Sequence, residues 1–200
     1  DPRQFEIRAE SLVAQYGELM ALSWIDDRRR VVAVQASPSV KAARDWMEDG
    51  ILKPGEVESG YGLARDLLQP VYSQPVGVGK AEPILQLHLP ITPRGKFAGE
   101  LVAEYSVDAL LRYGVPAEIL AKYAVALLDS KGQTLAGQSI PDRPGLSEFL
   151  PWSGKVNEFE IPVSPVGNGL VLRAQAWRTS QGLVGGALFW LVVTLAAMTA

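Results

Sequence analysis

Two stretches of this chain repeat one pattern in the same order, and that repetition limits what the chain can fold into. Leu22 to Val34 reads LSWIDDRRRVVAV and Val125 to Gly137 reads VALLDSKGQTLAG. Each is an apolar run, an aspartate, a polar turn and a second apolar-rich run, which is the grammar of a β-hairpin. The short carboxylates of Asp26 and Asp129 suit them to close those turns by bonding nearby backbone N–H groups. A second pair follows: LPITPRGKFAGELVAEYS (Leu89 to Ser106) resembles IPVSPVGNGLVLRAQAWR (Ile161 to Arg178). In both, Pro90 or Pro162 argues for an edge strand or a strand start, and Gly95 or Gly167 for a positive φ in the turn.

The chain therefore reads as hairpin, insert, hairpin, twice over. The first insert is long, Gln35 to Pro83, and the second short, Gln138 to Glu158. A helix-like stretch precedes each copy. Gln4 to Met20 carries an apolar stripe of Phe5, Ile7, Leu12, Val13, Tyr16, Leu19 and Met20, and Ser106 to Tyr123 is interrupted by Gly114 and Pro116. Helices added to antiparallel sheets make an α+β protein of two small modules.

The other end of the chain has a different constraint. From Thr179 to Ala200 there is no charged residue, about the length that crosses a hydrocarbon core of ~30 Å as a helix. A membrane anchor is expected there, with a buried core helix as the alternative. Gly182 and Gly186 have the spacing that permits close helix pairing in lipid. Upstream, charges of both signs and a net charge of −3 offer no electrostatic invitation to nucleic acid. The absence of cysteine removes disulfides, thiol nucleophiles and thiolate metal sites, and a single histidine, His88, removes any multi-histidine zinc site within one chain. No metal or cofactor is expected. Gly60-Tyr61-Gly62 and Gly77-Val78-Gly79-Lys80 match no phosphate-cradling motif, and no nucleophile, base and orienting group can be proposed together.

VYSQPV followed by ILQLHLPITPRGKFAGELVAEYSVDALL resembles the late strands of extracytoplasmic PAS-like sensor domains, the Cache or PDC class. With YAVALLDSKGQTLAG the layout is similar to the double Cache sensor of bacterial C4-dicarboxylate sensor kinases. The resemblance covers Phe5 to Arg178. It implies a long N-terminal helix (1–21), a membrane-distal PAS-like module that binds ligand (22–112), a smaller membrane-proximal PAS-like module (113–178) and a transmembrane helix (179–200). It further implies a homodimer at the bacterial inner membrane, with 1–178 in the periplasm and the kinase beyond Ala200. Amino-acid-binding members carry a Tyr, Arg, Trp, Tyr and Asp set. Here Glu104 stands at the Asp position, Trp46, Arg65 and Tyr72 lie near the others, and amino-acid specificity is not implied.

Strand alternation places the candidates. Leu85, Leu87 and Leu89 point one way, and Gln86 and His88 the other. Phe97, Leu101, Ala103 and Tyr105 share one face, and Glu100, Val102, Glu104 and Ser106 the opposite one. The polar set faces either a pocket or water. The insert adds Trp46, Tyr61, Arg65, Tyr72 and Lys80, with Arg65 or Lys80 able to hold the carboxylate of an organic acid. His88 reads as a hydrogen-bonded core residue or a reporter of external pH. Arg28 to Arg30 sit at a hairpin turn in water. The function expected is ligand sensing for a two-component histidine kinase. The alternatives are a protein-interaction module, the input of a chemoreceptor or cyclic-dinucleotide enzyme, and, last, an anchored hydrolase.

Overall fold

The computed structural model describes residues 1–38, 47–48, 50–53, 55–73, 75, 83–140, 158–164 and 166–177. Trp46, Lys80 and the apolar stretch 179–200 with its Gly182 and Gly186 lie outside the described residues. No helix among the described residues is long and apolar enough to cross a membrane.

The first helix, α1, spans Pro2–Gln15. Asp1 caps it by accepting from Arg3 N at 3.0 Å, and Pro2 sits in the first turn, where its missing N–H costs nothing. The helix expected over 1–21 stops short, because Tyr16 is already extended and Leu19 and Met20 open a strand. Leu19 buries against Ala9, Val13, Leu22 and Ala103. Sheet burial thus overrides a helical pattern that would have left part of that stripe in solvent.

Strands β1 (Leu19–Asp26) and β2 (Val31–Ala36) form the first hairpin. A short hairpin of β3 (Met47–Glu48) and β4 (Ile51–Leu52) lies beside it, bridged through Arg30 and Ile51. Helix α2 (Glu56–Leu67) follows, and then β5 (Val71–Tyr72), β6 (Ile84–Pro90) and β7 (Gly99–Ser106). These build a five-stranded antiparallel sheet in the order β2-β1-β7-β6-β5. Pro90 and Pro162 end their strands, where a missing N–H breaks no ladder.

Helices α3 (Val107–Gly114) and α4 (Ala117–Lys122) are the two halves of the interrupted stretch, with Ser106 capping α3 by accepting from Ala109 N. Then come β8 (Tyr123–Leu128), β9 (Thr134–Gly137), β10 (Glu158–Pro162) and β11 (Val171–Ala176). They form a four-stranded sheet in the order β10-β11-β8-β9. The described residues form an α+β fold of two larger antiparallel sheets and the small β3–β4 hairpin, the two larger sheets joined by a core of Leu85 and Val107 against Leu127, Ala136 and Leu170.

The repeat is visible in the turns. Asp26 Oδ1 accepts from Arg28 N and Arg30 N, and Asp129 Oδ1 accepts from Lys131 N and Gln133 N, all at 2.8 Å. The left-handed position is Arg29 (φ 65°) in one turn and Gly132 (φ 76°) in the other. Arg28 to Arg30 are exposed, and Arg29 pairs with Glu58. The later turns differ from expectation at one point. Gly95 has φ 76°, but in the second turn the positive φ falls on Asn168 and Gly169. Gly167 is needed for space, since a Cβ there would lie 2.3 Å from Val163 O.

Each aspartate anchors two backbone N–H groups, so Asp26→Ala and Asp129→Ala should each cost about 1–3 kcal/mol. Urea denaturation of each variant measures this, and like geometry predicts like losses.

Candidate functional site

The five-stranded sheet has two unlike faces. Toward α1 it presents Leu22, Trp24, Leu87, Leu101, Ala103 and Tyr105, packed on Phe5, Ala9 and Val13 or lining a groove of about 680 Å³ beside the helix. The other face holds Ser23, Ile25, Gln86, His88, Glu100, Val102 and Glu104. The register sets these side by side: Gln86 opposite Glu104, and His88 opposite Val102, which is itself opposite Ser23. This is the alternation expected from the sequence, with one exception. Phe97 precedes β7, outside the alternation, and packs edge-on against Tyr61 on the polar side, ring centroids 5.4 Å apart.

Those polar residues do not face water. His88 and Glu100 are 0 % exposed and Glu104 is 8 % exposed, while Ser23 and Gln86 are equally buried. The cover over His88 is α2, whose inner stripe is Val57, Gly60, Tyr61 and Ala64. Val57 and Tyr61 join Ile25, Leu52 and Val102 in a shared cluster. At Gly60 the helix comes so close that a Cβ would lie 2.3 Å from His88 Nε2.

Two hydrogen-bonded pairs organise the face. His88 Nδ1 and Glu100 Oε1 share a hydrogen bond at 2.9 Å, and Gln86 Nε2 donates to Glu104 Oε1 at 2.7 Å. Burial pushes the Glu100 carboxyl above the usual carboxylate range, and the bond from His88 pulls the other way. Burial, and then the nearby Glu100, push the Tyr61 phenol up to about 12, so it stays a donor, bonding Asp26 O at 3.0 Å. Ser23 Oγ, Gln86 Oε1, His88 Nε2 and Glu100 Oε2 are buried with no hydrogen-bond partner among the described residues. Buried polar atoms without partners are uncommon enough to mark a place where solvent or a ligand completes the set.

The candidates from the sequence divide accordingly. Gln86, His88 and Glu104 come together on one face, with Tyr61 over it. Tyr72, opposite Leu87, belongs to the apolar side and packs in the core between the sheets, where burial raises its phenol pKa. Arg65 stands at the surface with its side chain 51 % exposed, bonded to Asp66 at 2.8 Å. It lines a shallow cleft with Arg29, Glu58 and Ser59 and does not reach the polar face. Sequence reasoning put Glu100 on the face of Glu104 without making it a site candidate, and gave Gly60 no role. Glu100 shares the alternation of Glu104 and was legible by that signal, whereas the tight approach at Gly60 leaves no local trace. Among the described residues no group of three or more His, Asp or Glu is arranged to hold a metal ion.

The second sheet holds the counterpart of the Gln86–Glu104 pair. Glu158 lies opposite Gln175, which is buried. Here the chain fills the place itself: Ile140 N donates to Gln175 Oε1 at 2.7 Å, Ser139 Oγ at 3.3 Å, and Gln175 Nε2 donates to Glu158.

Gly60→Ala should cost about 1–3 kcal/mol by overpacking, and Gly60→Ala/His88→Ala less than the sum of the single losses, as read from denaturation midpoints. Glu100 supplies a pH test. Its folded pKa is raised, so its contribution to stability is greatest below the ordinary 4.5 and is lost as pH rises through the raised value. Glu100→Gln removes that loss, and its Tm should gain on the wild type as pH climbs from 4.5 toward neutrality.

No family model and no curated protein matches this chain. Solved structures do. The ligand-binding domain of the Pseudomonas aeruginosa PAO1 amino-acid chemoreceptor PctB, in complex with L-Arg, aligns with TM-score 0.56 at 15 % identity, covering 100 % of this chain and 84 % of that one. The extracellular domain of vpHK1S-Z8, named as a histidine kinase, aligns with TM-score 0.56 at 13 % identity, over 87 % and 76 % of the two chains. A methyl-accepting chemotaxis protein X aligns with TM-score 0.53 at 15 % identity, over 88 % and 81 %. The fold of this chain is that of the extracellular ligand-binding domains of chemoreceptors and histidine kinases.

Proposed function

We propose that this chain is the ligand-sensing region of a bacterial membrane receptor, a two-component sensor histidine kinase, and that it binds a small molecule on the polar face of the five-stranded sheet. The observation that carries this reading is the buried row of Ser23, Gln86, His88, Glu100 and Glu104, four of whose side-chain atoms have no partner among the described residues. A sheet face built only for stability would be apolar there, because an unsatisfied buried polar atom costs about 1–3 kcal/mol. The shared fold supports the same reading.

In this proposal residues 22–112 form the membrane-distal sensing module and 113–178 the membrane-proximal one. Residues 1–178 stand in the periplasm, and 179–200 anchor them in the inner membrane. The chain acts as a homodimer whose two arrangements the ligand binds unequally, as any population shift requires. The chemistry lies in an output part, a histidine kinase, with a chemoreceptor or a cyclic-dinucleotide enzyme as the alternative outputs for the same input. A protein-binding role is the second reading, favoured by the open apolar groove beside α1.

The test is a thermal-shift screen of the 200-residue chain against amino acids, organic acids and other small metabolites. A saturable rise in Tm is expected, amounting to about 2.7 kcal/mol of added stability at a hundredfold excess over Kd. The rise should disappear in Glu104→Gln and persist in Arg65→Ala. If no compound raises Tm, the small-molecule reading fails and the search moves to protein partners.

A further inference from the structure

Among the described residues, one backbone hydrogen bond joins the two sheets. Tyr72 N donates to Val166 O at 2.8 Å, and Val71 and Val166 form a parallel bridge. That bond is made by β5, a strand of only two residues at the edge of the sensing sheet. β5 is also tied to the polar face. Val71 is fully buried opposite His88, and Ser73 N donates to Gln86 O at 3.0 Å. Upstream, β5 follows α2 almost at once, through Leu68 in the left-handed conformation (φ 52°). The cover of the polar face, the face itself and the contact with the second sheet thus share one short run of backbone.

The receiving side is equally tight. Val166 belongs to the turn between β10 and β11, closed by Val163 N to Leu170 O at 3.0 Å and Leu170 N to Gly167 O at 2.9 Å. Leu170 is buried in the core shared by the sheets, beside Tyr72 and Val163. From this turn β11 runs to Trp177, whose backbone N donates to Lys122 O at 2.9 Å and whose indole donates to Leu120 O at 3.1 Å. A displaced turn therefore moves β11 and Trp177 with it, since a packed strand shifts as a body.

We propose that β5 is the mechanical joint of this protein: displacement of α2 over the His88–Gln86 face is passed through the Tyr72–Val166 bond to the β10–β11 turn, and along β11 to Trp177. The joint regulates the site assigned above and so rests on the sensor reading. Its coupling is nevertheless a property of the unliganded chain, and coupling has to be measured and not inferred from adjacency.

Hydrogen–deuterium exchange on the 200-residue chain without ligand tests it. Gly167→Ala forces a Cβ against Val163 O. It should speed exchange in 163–170 and also at Tyr72 and in α2, by about tenfold, with α1 and β1 unchanged. Faster exchange confined to the turn overturns the joint. If the substitution unfolds the chain as a whole, the V71C/V166C variant decides, because the chain has no other cysteine to pair with. Once oxidised, it should slow exchange in α2 as well as in the turn and release both on reduction. An α2 that ignores the staple overturns the proposal. That result would leave the ligand screen to judge the sensor reading by itself, and a failed ligand screen would leave the exchange coupling standing.

Discussion

A carboxyl and an imidazole buried together on a sheet face set the terms for the first half of this molecule. Glu100 and His88 have no exposed surface, and their mutual hydrogen bond offsets part of the cost of taking both out of water. The pair stays out of bulk solvent only if something covers it closely. α2 does so through Gly60, where the lack of a side chain lets the helix approach His88, while Val57, Tyr61 and Ala64 carry the apolar contact around it. The position of α2 is therefore tied to the state of the polar face, and the position of β5 is tied to α2.

The two sheets show how one pattern serves two ends. Their first hairpins are closed by aspartates that each accept the same pair of backbone bonds, all at 2.8 Å. At corresponding strand positions a carboxylate–amide pair recurs with its members exchanged: Gln86 with Glu104, and Glu158 with Gln175. In the second sheet the backbone of Ile140 occupies the amide oxygen, so that position is satisfied from within the chain. In the first, Gln86 Oε1 has no partner among the described residues. The asymmetry follows the unequal inserts, since the long one supplies α2 as cover and the short one supplies Ser139 and Ile140, which bond Gln175.

Glycine and proline mark the points where this architecture is under the most geometric demand. Gly99 takes φ 124° at the start of β7, where a Cβ would lie 2.3 Å from Ile25 O. The close approach lets β7 pair with β1 along its whole length. Pro90 and Pro162 end strands that must stop before a turn. These residues carry no chemistry and hold the rows that do.

The sequence by itself determined the α+β class, the two hairpins and their aspartate turns, the break between α3 and α4, and which strand residues share a face. Those are local or period-two properties, and Gln86, His88 and Glu104 were placed together by alternation alone. The tertiary structure decided the rest. Whether the polar face met water or cover depended on α2, whose stripe of Val57, Gly60, Tyr61 and Ala64 is disguised by its glycines. α1 yielded Leu19 and Met20 to a strand because burial against Ala103 and Val13 outweighs helical periodicity. Arg65 and Tyr72 lie off that polar face for opposite reasons, one at the surface and one in the core between the sheets. Burial and partnership are long-range quantities, set by elements far apart in sequence, and no local pattern records them.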